Sequence, residues 1–214
     1  MRKNAVTLFL LLLSLYCFGQ QPTPPDQALN RLREGNQRFV QGKSTKPRQD
    51  PNRIQEIATK QNPFATIVGC SDSRVPAEII FDQGLGDLFI VRTAGQVSTY
   101  ASWGSIEFAE EILGTKLIVV MGHTQCGAVG AAVNLPEVPG HIISLINAIK
   151  PAVDRAKEKN PSNLLLAATK ENIQMQVNQL KSLEPVLAKR VRDGSLRIIG
   201  GLYNLQTGEV EFFE

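Results

Sequence analysis

Three residues with metal-binding side chains stand at the ends of two apolar runs in this 214-residue chain. Phe64-Ala65-Thr66-Ile67-Val68 runs into Gly69-Cys70-Ser71-Asp72-Ser73-Arg74, and Lys116-Leu117-Ile118-Val119-Val120-Met121 runs into Gly122-His123-Thr124-Gln125-Cys126-Gly127. A short apolar run that stops at glycine predicts a buried strand. Residues just past such strands sit where α/β sheets hold their ligands, outside the carboxyl ends. Cys70, His123 and Cys126 then offer two sulfurs and one nitrogen, a catalytic zinc set with one position left open. Thiolate is soft and imidazole borderline, which suits zinc better than calcium, magnesium or manganese; cobalt or iron fits the same ligands.

Asp72 and Arg74 are the expected helpers. Asp72 is close enough to Cys70 in sequence to accept a hydrogen bond at the metal, or to bind it as a fourth ligand and close the site. Arg74 can hold Asp72 in a charge-assisted pair and keep it off the metal; a solvated surface pair is the bland alternative. Two thiolates cancel the charge of a divalent zinc, so neighbouring groups must help set the acidity of water there. Two other readings compete. One is a disulfide between Cys70 and Cys126. The other is a structural zinc, which normally closes with four protein ligands where only three strong ones stand here. His141, the only other histidine, falls at a predicted helix start, where a fourth-ligand or proton-shuttle role competes with that of a plain surface residue.

The elements that must position these groups follow from periodicity. Residues 27–41 read as an amphipathic helix capped by Asp26, after the proline-rich lead 21–25. A shorter helix covers Asn52 to Lys60, and Ala77 to Phe81 forms a helical turn. Leu88 to Arg92 is the second strand, preceded by a turn at Gly84-Leu85-Gly86-Asp87; its two glycines lack the third of a dinucleotide loop and precede a strand rather than follow one. Helices are predicted over Tyr100–Leu113, with Ile106, Ala109, Ile112 and Leu113 on one face, over residues 128–133, and over His141–Lys157. Another covers Ser162–Val191, interrupted at Pro185. Leu196–Tyr203 and Glu209–Phe213 read as strands joined at Thr207-Gly208. Strands alternating with helices predict an α/β fold with a mainly parallel central sheet flanked by helices.

Residues 1–19 have the layout of a secretory signal peptide: Arg2 and Lys3, an apolar core from Ala5 to Leu15, then small or polar residues up to a cleavage point near Gly19. That core is too short for a comfortable membrane span. The expected product is an exported chain, periplasmic or secreted, with no stable membrane span. Residues 20–50 would be a linker and N-terminal helical arm, and 51–214 one α/β domain. The formal charge of +3 includes Arg2 and Lys3, and no basic block carries interleaved aromatics, so nothing favours nucleic acid as a partner.

Cys70-Ser71-Asp72-Ser73-Arg74 together with His123-Thr124-Gln125-Cys126-Gly127 resembles the β-class carbonic anhydrases, which share a C-x-D-x-R and H-x-x-C pair. The resemblance extends to Ala28-Leu29-Asn30-Arg31-Leu32-Arg33-Glu34-Gly35-Asn36 and Gly200-Gly201-Leu202-Tyr203. It implies zinc on Cys70, His123 and Cys126, a gating dyad of Asp72 and Arg74, and reversible hydration of carbon dioxide to bicarbonate by hydroxide on that zinc. It also implies a substrate-orienting Gln61, and a pocket lined by Phe89, Phe108 and the Gly127 backbone. Phe108 stands where some members have tyrosine, so no hydroxyl acts there. Ile67 stands where one branch has the tryptophan of a bicarbonate-inhibition site, which puts that regulation in doubt. The family's smallest working unit implies a homodimer or tetramer, with the N-terminal helix embracing its partner. The alternatives are a same-fold hydrolase of carbonyl sulfide or carbon disulfide, and a non-catalytic exported zinc-binding or redox protein.

Overall fold

The computed structural model describes residues 21–135 and 137–214; the predicted leader and its cleavage point lie outside the described residues. Helix α1 (Pro25–Val40) begins inside the proline-rich lead, because the fixed φ of proline suits a first helical position. Asp26 is therefore in the first turn rather than a cap, and its carboxylate accepts from Arg197 at 2.7 Å instead. Helix α2 (Pro51–Ile57) is capped by Asp50, whose side chain accepts from the amides of Asn52 and Arg53. Next come β1 (Ala65–Cys70), α3 (Ala77–Ile80), β2 (Leu88–Thr93), a 3-10 turn at Ala94–Gln96, and α4 (Tyr100–Glu111). The order closes with β3 (Leu117–His123), α5 (Gly127–Asn134), α6 (Ile142–Glu158), α7 (Leu164–Lys181), α8 (Leu187–Arg192), β4 (Arg197–Tyr203) and β5 (Val210–Phe213). The helix expected over 162–191 is two helices. The break covers 182–186 rather than Pro185 alone, because the residue before a proline is pushed out of the helical region.

The five strands form one sheet in the order β2-β1-β3-β4-β5. The first four are parallel, and β5 returns antiparallel to β4 through the turn expected at Thr207-Gly208. Every residue of β1 and β3 is buried, as the near-continuous apolar runs of a doubly covered parallel sheet require. Successive side chains point to opposite faces. Ile67, Val119, Met121 and Ile199 meet Leu29, Leu32, Ile80 and Phe81 of α1 and the α3 segment. Val68, Ile118, Val120 and Ile198 meet Ile106 of α4 and Ile173, Val177 and Leu180 of α7. Each such aliphatic side chain contributes about 1.5–3 kcal/mol by its burial.

The apolar stripe of α1 (Ala28, Leu29 and Leu32) is buried on its own sheet, in the same core as β1. One expectation changes here. Ile112 leaves the buried face of α4 and stands 65% exposed just past the helix end.

Candidate metal centre

Cys70 is the last residue of β1 and His123 the last of β3. The two strands are neighbours with Gly69 opposite Met121, so the parallel register carries both side chains to the carboxyl edge of the sheet. Cys126 follows a tight turn in which Gln125 takes a φ of +55°, and it caps α5. The three ligand atoms lie within 4.8 Å of one another. Val97, Val129, Ile149, Val153 and Ala168 belong to the same buried apolar cluster as the two cysteines. Both thiols are free, which removes the disulfide reading.

The charges of the cluster are set by close contacts. A hydrogen bond from the Cys126 thiol pulls Cys70 down to about 4 against the opposing effect of burial; the amides of Asp72 and Gly95 add to the pull. Those amides lie 3.4 Å and 3.3 Å from the Cys70 sulfur. Cys126 is pushed up instead, by its bond to Cys70 and by burial. The single proton held between the Cys126 thiol and the Cys70 thiolate would be released when a divalent cation binds both sulfurs.

His123 supplies the sharpest sign of a cation. Its Nδ1 lies 2.9 Å from the Thr124 carbonyl, and a proton donated there leaves Nε2 as a bare lone pair. Nε2 is buried and has no hydrogen-bond partner among the described residues. Leaving such an atom unsatisfied costs about 1–3 kcal/mol. A soft or borderline divalent cation held with the two sulfurs removes that cost, so the residues fit the group.

Asp72 sits at the rim. Its Oδ1 accepts from the Arg74 amide and Nε, both at 2.9 Å, and its Oδ2 accepts from the Arg74 Nη2 at 2.7 Å. The guanidinium of Arg74 holds the carboxyl well below the usual carboxylate range. Oδ2 is also 3.8 Å from His123 Nε2, the atom that faces the cluster. Asp72 is thus ionised, tied to Arg74 and aimed at the cluster edge.

Three supporting residues escaped the sequence reading. Arg92 of β2 donates to the carbonyls of Cys70 at 2.9 Å and Asp72 at 2.7 Å, fixing the ligand segment from behind. Gly95 has a φ of +67°, and a Cβ there would lie 2.7 Å from Ile149 Cδ1, so only glycine brings this amide to the Cys70 sulfur. Asn172 of α7 donates to the Gly95 carbonyl at 2.9 Å and holds that turn in place. An arginine closing the apolar β2 run was the one local signal available.

The expected pocket residues divide. Gly127 is next to Cys126 at the first turn of α5, and a Cβ there would meet nothing within 4 Å. Gln61, Phe89 and Phe108 are not brought to the cluster of their own chain. Gln61 is exposed and precedes β1, whose six residues span about 20 Å before Cys70. Phe89 pairs with Thr66 near the start of β1, four residues before the Cys70 level. Phe108 is 46% exposed near the far end of α4. His141 is exposed at the head of α6 and is not in the cluster.

Comparison with known proteins gives a consistent result. Residues 65–210 match the family model described as carbonic anhydrase. Over 190 residues the chain is 41% identical to carbonic anhydrase 2 of Mycobacterium tuberculosis, covering 87% of this chain and 91% of the relative. The β-carbonic anhydrase of Coccomyxa, solved with acetazolamide, superposes with a TM-score of 0.69 at 25% identity over 86% of this chain and 85% of the other. A structure from work on two tetrameric β-carbonic anhydrases of Sordaria macrospora shares the fold, with a TM-score of 0.71 at 21% identity over 84% and 93%.

Proposed function

The chain belongs to the β-class carbonic anhydrase family, and from that premise we propose that it is a zinc enzyme that hydrates carbon dioxide reversibly to bicarbonate and a proton. The observation that carries the zinc assignment is the unpartnered, buried His123 Nε2 beside two free thiols. Cys70, His123 and Cys126 would hold the ion. Zinc so held supplies a Lewis acid that ionises water near neutral pH.

The chain's own residues do the rest. Asp72 offers an ionised oxygen as acceptor for the O–H of the attacking water and so aims its lone pair at the carbon. Arg74 fixes the direction of that carboxylate and keeps it from becoming a fourth ligand. The amide of Gly127, in the first turn of α5, has no intrahelical acceptor and can donate to the developing bicarbonate oxygen. The absent Cβ leaves room there for substrate.

Gln61, Phe89 and Phe108 contribute through a second copy of the chain. Their place toward the other end of the sheet is the reason for proposing a homodimer or tetramer in which one chain completes another's pocket. Tetrameric relatives of the same fold support that reading. We also propose that residues 1–19 direct export and are removed; N-terminal sequencing of protein from the cell envelope tests this, with a start near residue 20 expected and an intact Met1 against it.

Stopped-flow assays of the zinc-loaded chain test the reaction. Hydration of carbon dioxide is expected, and is expected to vanish in Cys70→Ala. Turnover of carbonyl sulfide or carbon disulfide without carbon dioxide hydration would reassign the substrate.

A further inference from the structure

At the amino edge of the sheet, away from the cysteines, a cavity of about 350 Å³ is lined by Arg31, Arg48, Arg53 and Lys60, together with Glu56, Asp87 and Phe64. We propose that this cavity binds a phosphoryl oxyanion, either free phosphate or the phosphate group of a small ester. Four cations face two carboxylates, and the surplus of positive charge has no counterpart in the wall. Two of the cations are already fixed. Arg48 is held to Asp87 through its Nε at 2.9 Å and its Nη2 at 2.5 Å. Arg53 pairs with Glu56 at 2.8 Å and donates to the Leu85 carbonyl at 3.0 Å. These contacts pre-organise one wall, which lowers the entropy cost of binding.

Arg31 is the group that asks for a ligand. Its guanidinium lies 3.7 Å over the ring of Phe64, and among the described residues it is paired with no carboxylate. Stacking occupies the face of the guanidinium and leaves its in-plane N–H donors free, the fork that matches phosphate oxygens. Burial works against the charge of Arg31, Asp87 favours it, and Arg48 opposes it, so an incoming anion relieves a local excess. Lys60, an exposed lining residue, closes the set as a point charge on a four-carbon stem. Phosphate carries a charge of about −1.5 to −2 at neutral pH, which matches the surplus. The cavity falls at the small end of the range typical of small-molecule sites, roughly 300–1,000 Å³, which leaves room for the body of an ester.

Calorimetric titration of the full zinc-loaded chain with inorganic phosphate, and separately with glycerol 3-phosphate, tests this at fixed ionic strength against chloride. Saturable binding to one site per chain is expected, weakened about tenfold in Arg31→Gln and also reduced in Lys60→Gln, with zinc content unchanged in both. Tighter binding of the ester identifies an ester as the ligand; equal binding identifies the free ion. Absence of saturable heat with either probe overturns the proposal, as does equal binding by both variants and the parent.

Discussion

Arg74 directs three hydrogen bonds at Asp72, although its own side chain is 55% exposed. An exposed ion pair of this kind contributes about 0–1 kcal/mol to stability, so its geometry matters for the site rather than for the fold. Arg74→Ala releases the carboxylate 3.8 Å from the ligand nitrogen of His123. That variant is expected to lose about 10–100-fold in carbon dioxide hydration while giving up zinc to a chelator more slowly than the parent. Asp72→Asn is expected to lose rate without the slower release. Stopped-flow rates and chelator competition read both, and unchanged rates in the two variants would remove the dyad from the mechanism. Cys70, His123, Cys126, Asp72 and Arg74 were all legible because each motif is local and the two flank apolar runs. Asn172 was not, since it reaches Gly95 across 77 positions and only the packing of α7 reveals it.

Elements outside the cluster hold it in place, and two of their contacts make separate predictions. Gly95→Ala forces a Cβ into Ile149 at a left-handed φ, which costs about 1–3 kcal/mol and displaces an amide from the Cys70 sulfur. A lower urea midpoint together with weaker zinc retention is expected; a midpoint equal to the parent's would contradict the packing argument. Asp82 ties α1 to the loop that follows it, accepting from Arg38 Nε at 2.6 Å and from the amides of Thr45 at 3.0 Å and Lys46 at 2.8 Å. Burial alone would raise its carboxyl, but the Thr45 amide, Arg38 and the Lys46 amide outweigh it and hold the group at about 2. Because the folded value lies below the unfolded one near 3.9, the carboxylate stabilises the fold fully above about pH 4 and loses that contribution as pH falls toward 2. Asp82→Asn should therefore cost about 2 kcal/mol at neutral pH, with the gap to the parent closing in acid; a gap that persists at pH 2 would contradict this. No periodicity marks Asp82, and the amphipathic pattern of α1 does not say whose sheet its stripe covers.

Across the whole molecule, the carboxyl edge of the sheet carries the candidate metal ligands, while Gln61 lies before the amino end of β1. Alternating strands and helices made the α/β class and the parallel sheet readable. The separation of Gln61, Phe89 and Phe108 from the cluster was not, because a linear motif carries no information on which copy of the chain it serves. If these residues complete a neighbour's pocket, Gln61→Ala and Cys70→Ser chains co-assembled in one oligomer should exceed the activity of either alone. No gain on co-assembly would place Gln61 outside the pocket. Among the described residues no helix is long and apolar enough to cross a membrane.

Zinc content and carbon dioxide hydration, measured on the same reduced and purified protein from about pH 6.5 to about 9, test the central claim most directly. About one zinc per chain, with hydration that rises with pH, is the predicted result. Zinc present at that level without hydration at any pH would contradict the enzymatic account and leave Cys70, His123 and Cys126 as the ligands of a non-catalytic metal site.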